Sequence, residues 1–367
     1  MKILYDHQIF TSQIYGGISR YFYELFLKFS SMDEIDIDVS LLFSNNYYIS
    51  SKKIVRHSNF FLNKNFKGKT RLMNIFNNIN SISHLKRQSF DIFHPTYYNP
   101  YFLKYLDKKP FVITVYDMIH EKFNDMFPKG DKTTQYKKIL VDKASKIIAI
   151  SQNTKNDLID VFNIKSEKIE VVYLGNSFIP KNIKIMNIKI PQKYILFVGS
   201  RRGYKNFDLF LESVSEILKK SKDLHLLCVG GGSFNKYELR MLEKLGIENQ
   251  AMHFNFDDDT LAYIYQNALL FVFPSLYEGF GMPILEAFAC NCPVVCSNTS
   301  SLPEVGGEAA YYFDPNNKDS IKSSIERVLF DDELRNKIIQ KGKNRLKNFC
   351  WEDTALKTKK IYEGILS

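Results

Sequence analysis

Glu278 and Glu286 flank a glycine-containing turn in the second half of the chain, with Gly279 and Gly281 between them. The glycines allow an unusual backbone whose amides can face a ligand, and Pro283 suits the first position of a helix. A helix N-terminus of this kind binds phosphate. Two carboxylates would repel a phosphate but accept hydrogen bonds from hydroxyls, as they do with ribose. The turn therefore predicts a nucleotide-sugar site; taken alone, Glu286 reads as a carboxylate that favours the helix dipole.

A cationic segment lies between a predicted strand, Tyr194–Val198, and the helix that follows it. This segment begins at Gly199 and contains Arg201, Arg202 and Lys205. Strand ends and helix N-termini in open parallel sheets both favour anions, so the segment predicts diphosphate binding. The alternative is a basic turn in water. A glycine triplet that starts at Gly230 follows the next strand, where it is either a close approach to a ligand or a plain turn.

The first half of the chain carries a second glycine loop and three polar residues at strand ends. Gly16 and Gly17 follow the first predicted strand and open a helix, as expected for a ligand bound in an interdomain cleft. His94, Asp117 and His120 follow later strands, and they are candidates for acceptor or sugar contacts. The alternative for each is an ordinary loop residue.

These residues are positioned by short apolar runs that alternate with helical patterns, which is typical of parallel sheets with crossover helices. The predicted strands are Ile3–Tyr5, Ile37–Phe43, Asp91–Phe93, Phe111–Val115, Ile147–Ile150, Ile169–Tyr173, Tyr194–Val198, Leu224–Val229, Met252–Phe256, Leu269–Phe273, Pro293–Cys296 and Ala310–Phe313. The pattern predicts an α/β protein with two doubly wound, Rossmann-like domains.

The expected domain boundaries follow from the breaks in this pattern. An N-terminal acceptor-binding domain spans 1–180, a linker 181–192, and a nucleotide-sugar-binding domain 193–350. Residues 351–367 form a final helix that can pack on either domain. The chain has 367 residues, of which 45% are hydrophobic and 25% charged, which excludes a disordered or collagen-like protein.

The net charge of +10 is concentrated in one stretch. Residues 39–90 contain no Asp or Glu, but they contain nine Lys and Arg with aromatic residues interleaved. Such a stretch favours an anionic partner, and we weigh an anionic membrane surface equally against a solvated face. Nucleic acid is a weaker alternative. The start of the chain lacks the features of a signal peptide, so we expect a cytoplasmic protein that is peripheral at the inner face of the membrane.

Three cysteines, Cys290, Cys292 and Cys296, fall in a Cys-x-Cys-x3-Cys pattern that could bind a soft metal. Cys296 ends an apolar run, so buried free thiols are favoured. We predict no metal and no cofactor, because a nucleotide-sugar would be a substrate.

The segment from Glu278 to Glu286 resembles the Glu-x7-Glu motif of retaining glycosyltransferases of family 4, which have the GT-B fold. The glycine loop at Gly16-Gly17, the segment 198–206 and Leu302-Pro303-Glu304-Val305 agree with it. The resemblance covers nearly the whole chain. It implies two Rossmann-like domains facing across a cleft and hexose transfer from a nucleoside diphosphate-sugar with retention, without a divalent cation.

The resemblance also implies roles for individual residues. Arg201 and Lys205 would neutralise the diphosphate leaving group, Glu286 would contact ribose, and Glu278 would contact the donor sugar together with the turn that follows it. The candidate catalytic residues are Glu278, Arg201, Lys205, Asp117, His120 and His94. The candidate donor-binding residues are Gly16, Gly17, Gly199, Arg202, Gly230, Phe256, Gly279, Phe280, Gly281, Met282 and Glu286.

Residues 116–121 are similar to transferases of bacterial O-antigen and capsule assembly, which favours a GDP-mannose-like donor over a UDP-linked one and a lipid-linked or growing surface glycan as acceptor. Many relatives have His-Asp where this chain has Tyr116-Asp117. Two alternatives remain open: a nucleotide-sugar epimerase or phosphorylase on the same fold, and a nucleic-acid-binding protein.

Overall fold

A computed structural model describes residues 1–52, 54–62, 64, 66–178 and 189–367. Its strands are β1 (Lys2–Tyr5), β2 (Asp36–Val39), β3 (Ile92–His94), β4 (Val112–Val115), β5 (Lys146–Ala149), β6 (Ile169–Val171), β7 (Lys193–Val198), β8 (Leu224–Val229), β9 (Ala251–Phe254), β10 (Leu270–Phe273), β11 (Val294–Ser297) and β12 (Ala310–Phe313). Residues 181–188 of the predicted linker 181–192 lie outside the described residues.

Helices connect these strands. They are α1 (Gln8–Ser12), α2 (Gly17–Phe29), α3 (Tyr47–Lys52), α4 (Lys69–Arg87), α5 (Ile119–Lys122), α6 (Thr133–Lys143), α7 (Gln152–Phe162), α8 (Phe207–Lys220), α9 (Lys236–Leu245), α10 (Asp258–Asn267), α11 (Met282–Ala289), α12 (Leu302–Gly306), α13 (Lys318–Leu329), α14 (Asp332–Leu346) and α15 (Trp351–Leu366). Within the described ranges, none of these helices is long and apolar enough to span a bilayer.

The chain divides into two compact units, one comprising Met1–Gly175 with Cys350–Ser367 and the other Asn176–Phe349. Residues 176–178, which the sequence prediction placed in the first domain, belong to the second unit. Asn176 donates its backbone N–H to the carbonyl of Phe349, and the ring of Phe178 packs edge-on against Tyr265. Polar and aromatic contacts to the second unit decide this boundary.

The second unit contains one parallel sheet in the order β12-β11-β10-β7-β8-β9. Counted within the unit, this is the order of a doubly wound dinucleotide-binding fold. Its strands are apolar on both faces because helices cover both sides of a parallel sheet. Helix α8 shows the matching pattern: Phe207, Phe210, Leu211 and Val214 are buried against the sheet, one or two of them per turn.

The first unit contains two three-stranded parallel sheets, β2-β1-β3 and β4-β5-β6. A bridge between Phe93 and Phe111 connects them. Helix α15 packs on α2 in this unit. A Cβ atom at Gly175 would lie 2.4 Å from the backbone nitrogen of Trp351, the first residue of α15. Only glycine therefore allows the chain to pass this close to the start of the helix.

Three edge strands are shorter than predicted, for one physical reason. Val39 pairs with Tyr5, Val171 pairs with Ala149, and Phe254 pairs with Val229; each partner is the last residue of the neighbouring strand. An edge strand ends where its neighbour can no longer supply hydrogen bonds. Beyond β2, Phe43 forms only an isolated bridge with Ser58.

Candidate active site

The turn between β10 and α11 adopts the glycine-dependent backbone that its sequence predicts. Gly281 caps α11 with a φ of 104°, and a Cβ atom there would lie 2.9 Å from Leu302 Cδ2. Ser301 Oγ lies 2.9 Å from the carbonyl oxygens of both Glu278 and Phe280, which share its single hydroxyl hydrogen. These bonds turn the carbonyls of the loop toward α12. Met282 then begins the helix, with Pro283 in its first turn.

Lys205 and Glu278 are brought together at this turn. Lys205 ends a short 3-10 turn that follows β7, and its Nζ donates to Glu278 Oε1 at 2.5 Å. The backbone N–H of Leu276 donates to the carbonyl of Tyr204 at 2.7 Å, which joins the two loops directly. Both charged side chains are mostly buried but still reach solvent. A lysine has three N–H donors, so Lys205 retains capacity for a further anion.

Glu286 lies on α11, 9% exposed. Its Oε2 accepts a hydrogen bond from the Tyr265 hydroxyl at 3.3 Å. Asp258, in the first turn of α10, lies near enough for the two carboxylates to interact. Burial, and then the charge of Glu286, raise the pKa of Asp258 to about 6. Glu286 is therefore one member of a carboxylate pair that the motif does not indicate.

Arg201 has a different position from the one predicted for it. Its side chain is almost fully buried, and its guanidinium donates to Glu238 at 3.0 Å, to the Gly230 carbonyl at 2.7 Å and to the Gly232 carbonyl at 2.6 Å. A buried guanidinium needs such partners to offset its lost hydration. Arg201 therefore binds the glycine triplet and α9, and its guanidinium is not placed to contact a diphosphate leaving group.

The glycine triplet provides the space for this arrangement. Gly230 and Gly231 have φ values of 88° and 75°, and a Cβ atom at Gly231 would lie 3.0 Å from the Gly199 carbonyl oxygen. The loops after β7 and β8 therefore approach each other through glycine backbone. Phe256 follows β9 and stacks on Phe254 at 5.2 Å, partly exposed.

Arg202, in contrast, is exposed. It lines a cavity of about 310 Å³ at the N-termini of α8 and α9, together with Asp208 and Tyr237. Among the residues that the structure describes, the Arg202 side chain has no hydrogen bond or ion pair, whereas the Tyr237 hydroxyl donates to Asp208 at 2.8 Å. Of the two adjacent arginines, Arg202 is the one whose charge is available.

His94 is a core residue rather than an exposed catalytic group. Its Nδ1 lies 2.6 Å from the Tyr362 hydroxyl, and its Nε2 lies 2.9 Å from Thr114 Oγ1. Burial lowers the pKa of His94 to about 3, so the ring is neutral at neutral pH. The sequence prediction of an acceptor or sugar contact is corrected here: His94 connects the first sheet to α15.

Asp117 and His120 lie in a charged cluster at the end of β4. The cluster is organised by Lys137, whose side chain is 0% exposed and donates to Glu121 at 2.8 Å and to the Asp117 carbonyl at 2.8 Å. His120 stacks on Phe127 with ring centroids 3.8 Å apart. Burial lowers the pKa of His120, with Lys137 the next contributor. Asp117 remains partly exposed, as a hydroxyl-binding carboxylate must be.

The glycine loop at Gly16 and Gly17 opens α2. A Cβ atom at Gly16 would lie 2.5 Å from Gln13 Oε1, which accepts a hydrogen bond from the Ser19 amide, whereas Gly17 has no atom within 4 Å of that position. A side chain at Gly16 would therefore displace only the flexible end of Gln13, and the space beside Gly17 is open. The structure places this loop in the first unit and the Glu278 turn in the second.

Comparison with known proteins places these features in a family. Residues 158–345 match the family described as glycosyl transferases group 1, and residues 15–176 match Glycosyltransferase Family 4. The first match covers more than half of the chain. The protein belongs to the group 1 glycosyltransferases. The resemblance drawn from the Glu-x7-Glu motif is thereby confirmed, as are the GT-B fold and glycosyltransferase activity.

Individual relatives support the same assignment. The glycosyltransferase is 31% identical over 288 residues to the O-antigen chain mannosyltransferase B of Escherichia coli, covering 74% of each chain. It is 29% identical over 217 residues to a Campylobacter jejuni N-acetylgalactosaminyltransferase that acts on a diphospho-undecaprenol-linked sugar, covering 58% of each. In fold it is similar to WaaG, a glycosyltransferase of lipopolysaccharide biosynthesis (TM-score 0.71, 16% identity, coverage 99% and 100%), and to Anabaena HepE with UDP and glucose bound (TM-score 0.71, 15%, 99% of each).

Several residues of the glycosyltransferase site escaped the sequence analysis. Lys137 and Glu121 have ordinary surface residue types, and only the helical spacing of Lys137 with buried Leu140 and Val141 on α6 could have indicated its burial. Ser301 and Glu238 act through contacts distant in sequence, for which no local signal exists.

The three cysteines of the Cys-x-Cys-x3-Cys pattern are buried free thiols, and burial raises the pKa of Cys290 to about 12.

Proposed function

We propose that this glycosyltransferase moves a hexose, with retention of anomeric configuration, from a nucleoside diphosphate-sugar to a lipid-linked or growing surface glycan. The donor is GDP-mannose-like. The observation that carries the proposal is the contact of Lys205 with Glu278 beside the glycine turn that opens α11. One cation and one hydroxyl-accepting carboxylate lie where a phosphate and the hydroxyls of a sugar can bind next to each other.

The arrangement supports the following division of roles. The N-terminus of α11 and Lys205 bind the diphosphate, Glu278 accepts hydrogen bonds from the donor sugar, and Glu286 accepts them from ribose. Negative charge develops on the diphosphate as the bond to the anomeric carbon breaks. Fixed cations at that point lower the barrier, and such electrostatic stabilisation is usually the largest catalytic contribution. Arg202 supplies a second cation from the same loop.

Transfer without a divalent cation forms part of the proposal. Lys205 and Arg202 would provide the positive charge that a metal supplies to diphosphate leaving groups elsewhere. The test is transfer activity after EDTA treatment and desalting, compared with activity after Mg²⁺ or Mn²⁺ is added back. Activity that disappears with EDTA and returns with either ion would contradict metal independence and leave the donor assignment intact.

A thermal-shift screen tests the donor. GDP-mannose, other GDP-sugars, UDP-, ADP- and dTDP-sugars are compared at equal concentrations. A donor at about 100 times its dissociation constant should stabilise the protein by about 2.7 kcal/mol. GDP-mannose is expected to give the largest shift, and a larger shift with a UDP-sugar would reject the GDP preference. NMR of the anomeric proton in the product then distinguishes retention from inversion.

Incubation without an acceptor separates transfer from the epimerase and phosphorylase alternatives. A transferase leaves the donor sugar unchanged apart from slow hydrolysis, whereas an epimerase converts it to an isomer and a phosphorylase needs inorganic phosphate. The activities of the relatives support an acceptor carried on a polyprenyl diphosphate and assembly of O-antigen or lipopolysaccharide glycan. Such acceptors would place the enzyme at the inner face of the cytoplasmic membrane, as a peripheral protein.

A further inference from the structure

Helix α4 exposes an apolar face to solvent and buries polar side chains. The side chains that it buries are Met73, Asn77, Ser81 and Leu85, two of which are polar. Four other large apolar side chains of the same helix are exposed, at 38% for Leu72, 48% for Ile75, 41% for Phe76 and 62% for Ile79. Their spacing of three, four and seven residues places them on one face. A helix of a water-soluble domain normally buries this face.

Specific hydrogen bonds fix the rotation of α4. The Asn77 side-chain oxygen accepts from the backbone amides of Leu42 and Phe43 at 3.1 and 2.8 Å, and its nitrogen donates to Thr11 Oγ1 at 2.7 Å. Ser81 Oγ lies 2.8 Å from the Ser40 hydroxyl. Rotating the helix to bury its apolar face would leave these buried polar groups without partners, which costs about 1–3 kcal/mol for each group.

The residues before α4 extend the exposed apolar surface. Phe61, Leu62 and Phe66 are all more than 40% exposed, and the rings of Phe61 and Phe66 lie 5.8 Å apart. We define the α4 surface as Phe61, Leu62, Phe66, Leu72, Ile75, Phe76 and Ile79. Single exposed apolar side chains are normal, whereas seven within 19 residues of the chain favour an interaction site.

The charge along this stretch of the chain has one sign. Lys64, Lys67, Lys69 and Arg71 lie within or beside it along the chain, and residues 40–89 contain no Asp or Glu. The stems of lysine and arginine can lie along an apolar surface while their charges reach anions at its border. A protein partner would have to match both the apolar face and the cations, whereas an anionic bilayer presents hydrocarbon under a layer of negative headgroups.

We infer that the α4 surface binds an anionic lipid bilayer, with α4 lying parallel to the membrane plane and Leu72, Ile75, Phe76 and Ile79 inserted below the headgroups. The four inserted side chains lie within residues 72–79, about 10 Å of helix at 1.5 Å per residue. The inference deepens the proposed function, because a lipid-linked acceptor is presented at such a surface, but the binding itself requires neither donor nor acceptor.

Vesicle flotation of the full chain tests this inference. The probes are vesicles of phosphatidylcholine alone and vesicles in which about a third of the lipid is phosphatidylglycerol. The wild-type protein is expected to float with the anionic vesicles and to do so more weakly as salt is raised. The triple variant I75S/F76S/I79S should lose at least 10-fold in binding. K67Q/R71Q should bind more weakly than the wild type mainly at low salt, and this difference should shrink as salt screens the charges.

The matched control is L239S/F330S/L356S, which removes three exposed apolar side chains from elsewhere on the chain and should bind like the wild type. Circular dichroism and the thermal shift with donor verify that each variant is folded. Donor binding that survives in a variant unable to float separates a failure of this inference from a failure of the proposed function.

Four outcomes would overturn the inference. The first is a wild-type protein that does not float with anionic vesicles, and the second is a triple variant that floats as well as the wild type. The third is loss of a dimer in the triple variant, measured by sedimentation, without any vesicle binding, which would make the α4 surface an interface between copies. Salt-sensitive binding of duplex or single-stranded nucleic acid in place of vesicles would also reject it.

Discussion

The Nζ of Lys205 lies 2.5 Å from Oε1 of Glu278, although 73 residues separate them in the chain. The 3-10 turn after β7 and the turn after β10 bring the two charges together at the carboxyl ends of adjacent strands of one sheet. Neither charge is fully buried, so each can exchange its partner for a ligand. This contact connects the predicted phosphate and sugar subsites.

Lys205→Ala and Glu278→Ala are each expected to lower the turnover number about 10²–10³-fold, because each removes a group fixed where charge or hydroxyls must be bound. The double variant should lose little more than either single variant, since the two side chains act together. The measurement is steady-state transfer from the best donor of the thermal-shift screen. Lys220→Ala, at the exposed end of α8, serves as the control; near-normal turnover in all three site variants would refute the site.

Substitution of Arg201 should affect the stability of the protein, whereas substitution of Arg202 should affect donor binding. Arg201→Met leaves Glu238 buried without its cation and should lower the free energy of unfolding by about 3–5 kcal/mol. Arg202→Met should unfold at the wild-type temperature, because Arg202 is exposed. It should bind the donor more weakly, because it lacks the cation proposed to contact the diphosphate. Thermal unfolding with and without donor measures both effects. The assignment fails if Arg202→Met is the less stable of the two variants.

Lys137 is expected to act by positioning Asp117. Lys137→Met removes the cation between Glu121 and the Asp117 carbonyl, and it should destabilise the first unit by about 3–5 kcal/mol. Adding Glu121→Gln should restore part of that loss, since it removes the uncompensated charge. If Asp117 binds the acceptor, the rescued double variant retains a raised KM for acceptor with a near-normal KM for donor. A purely structural role would leave both KM values at the wild-type level once stability returns.

Asp258 should make stability fall with rising pH. Its pKa is raised to about 6 in the folded state, above the usual 3.8, so folding favours the protonated carboxyl. The contribution is complete below pH 3.8 and is lost as pH rises through 6. Asp258→Asn should therefore gain stability over the wild type across this window, by the order of 1 kcal/mol at pH 8 after screening by solvent. Urea unfolding of both proteins at pH 4, 6 and 8 measures this gain. A difference in free energy of unfolding that stays constant with pH would contradict the raised pKa of Asp258.

The sequence by itself determined the features that depend on local pattern. Alternating apolar runs and helical faces predicted the strands of both units. The resemblance of residues 278–286 to the Glu-x7-Glu motif indicated the family, because that motif lies within nine consecutive residues. The family, the fold and the activity are confirmed by comparison with known proteins. The catalytic and donor-binding residues remain predictions.

Tertiary structure decided which of the predicted charges are available. Two adjacent arginines look alike in sequence, yet Arg201 is enclosed by Glu238 and the glycine triplet while Arg202 is exposed. Likewise, only packing could show that His94 is neutral in the core and that α4 turns its apolar side chains outward. Burial and charge pairing depend on residues that are distant in sequence, so local pattern cannot determine them.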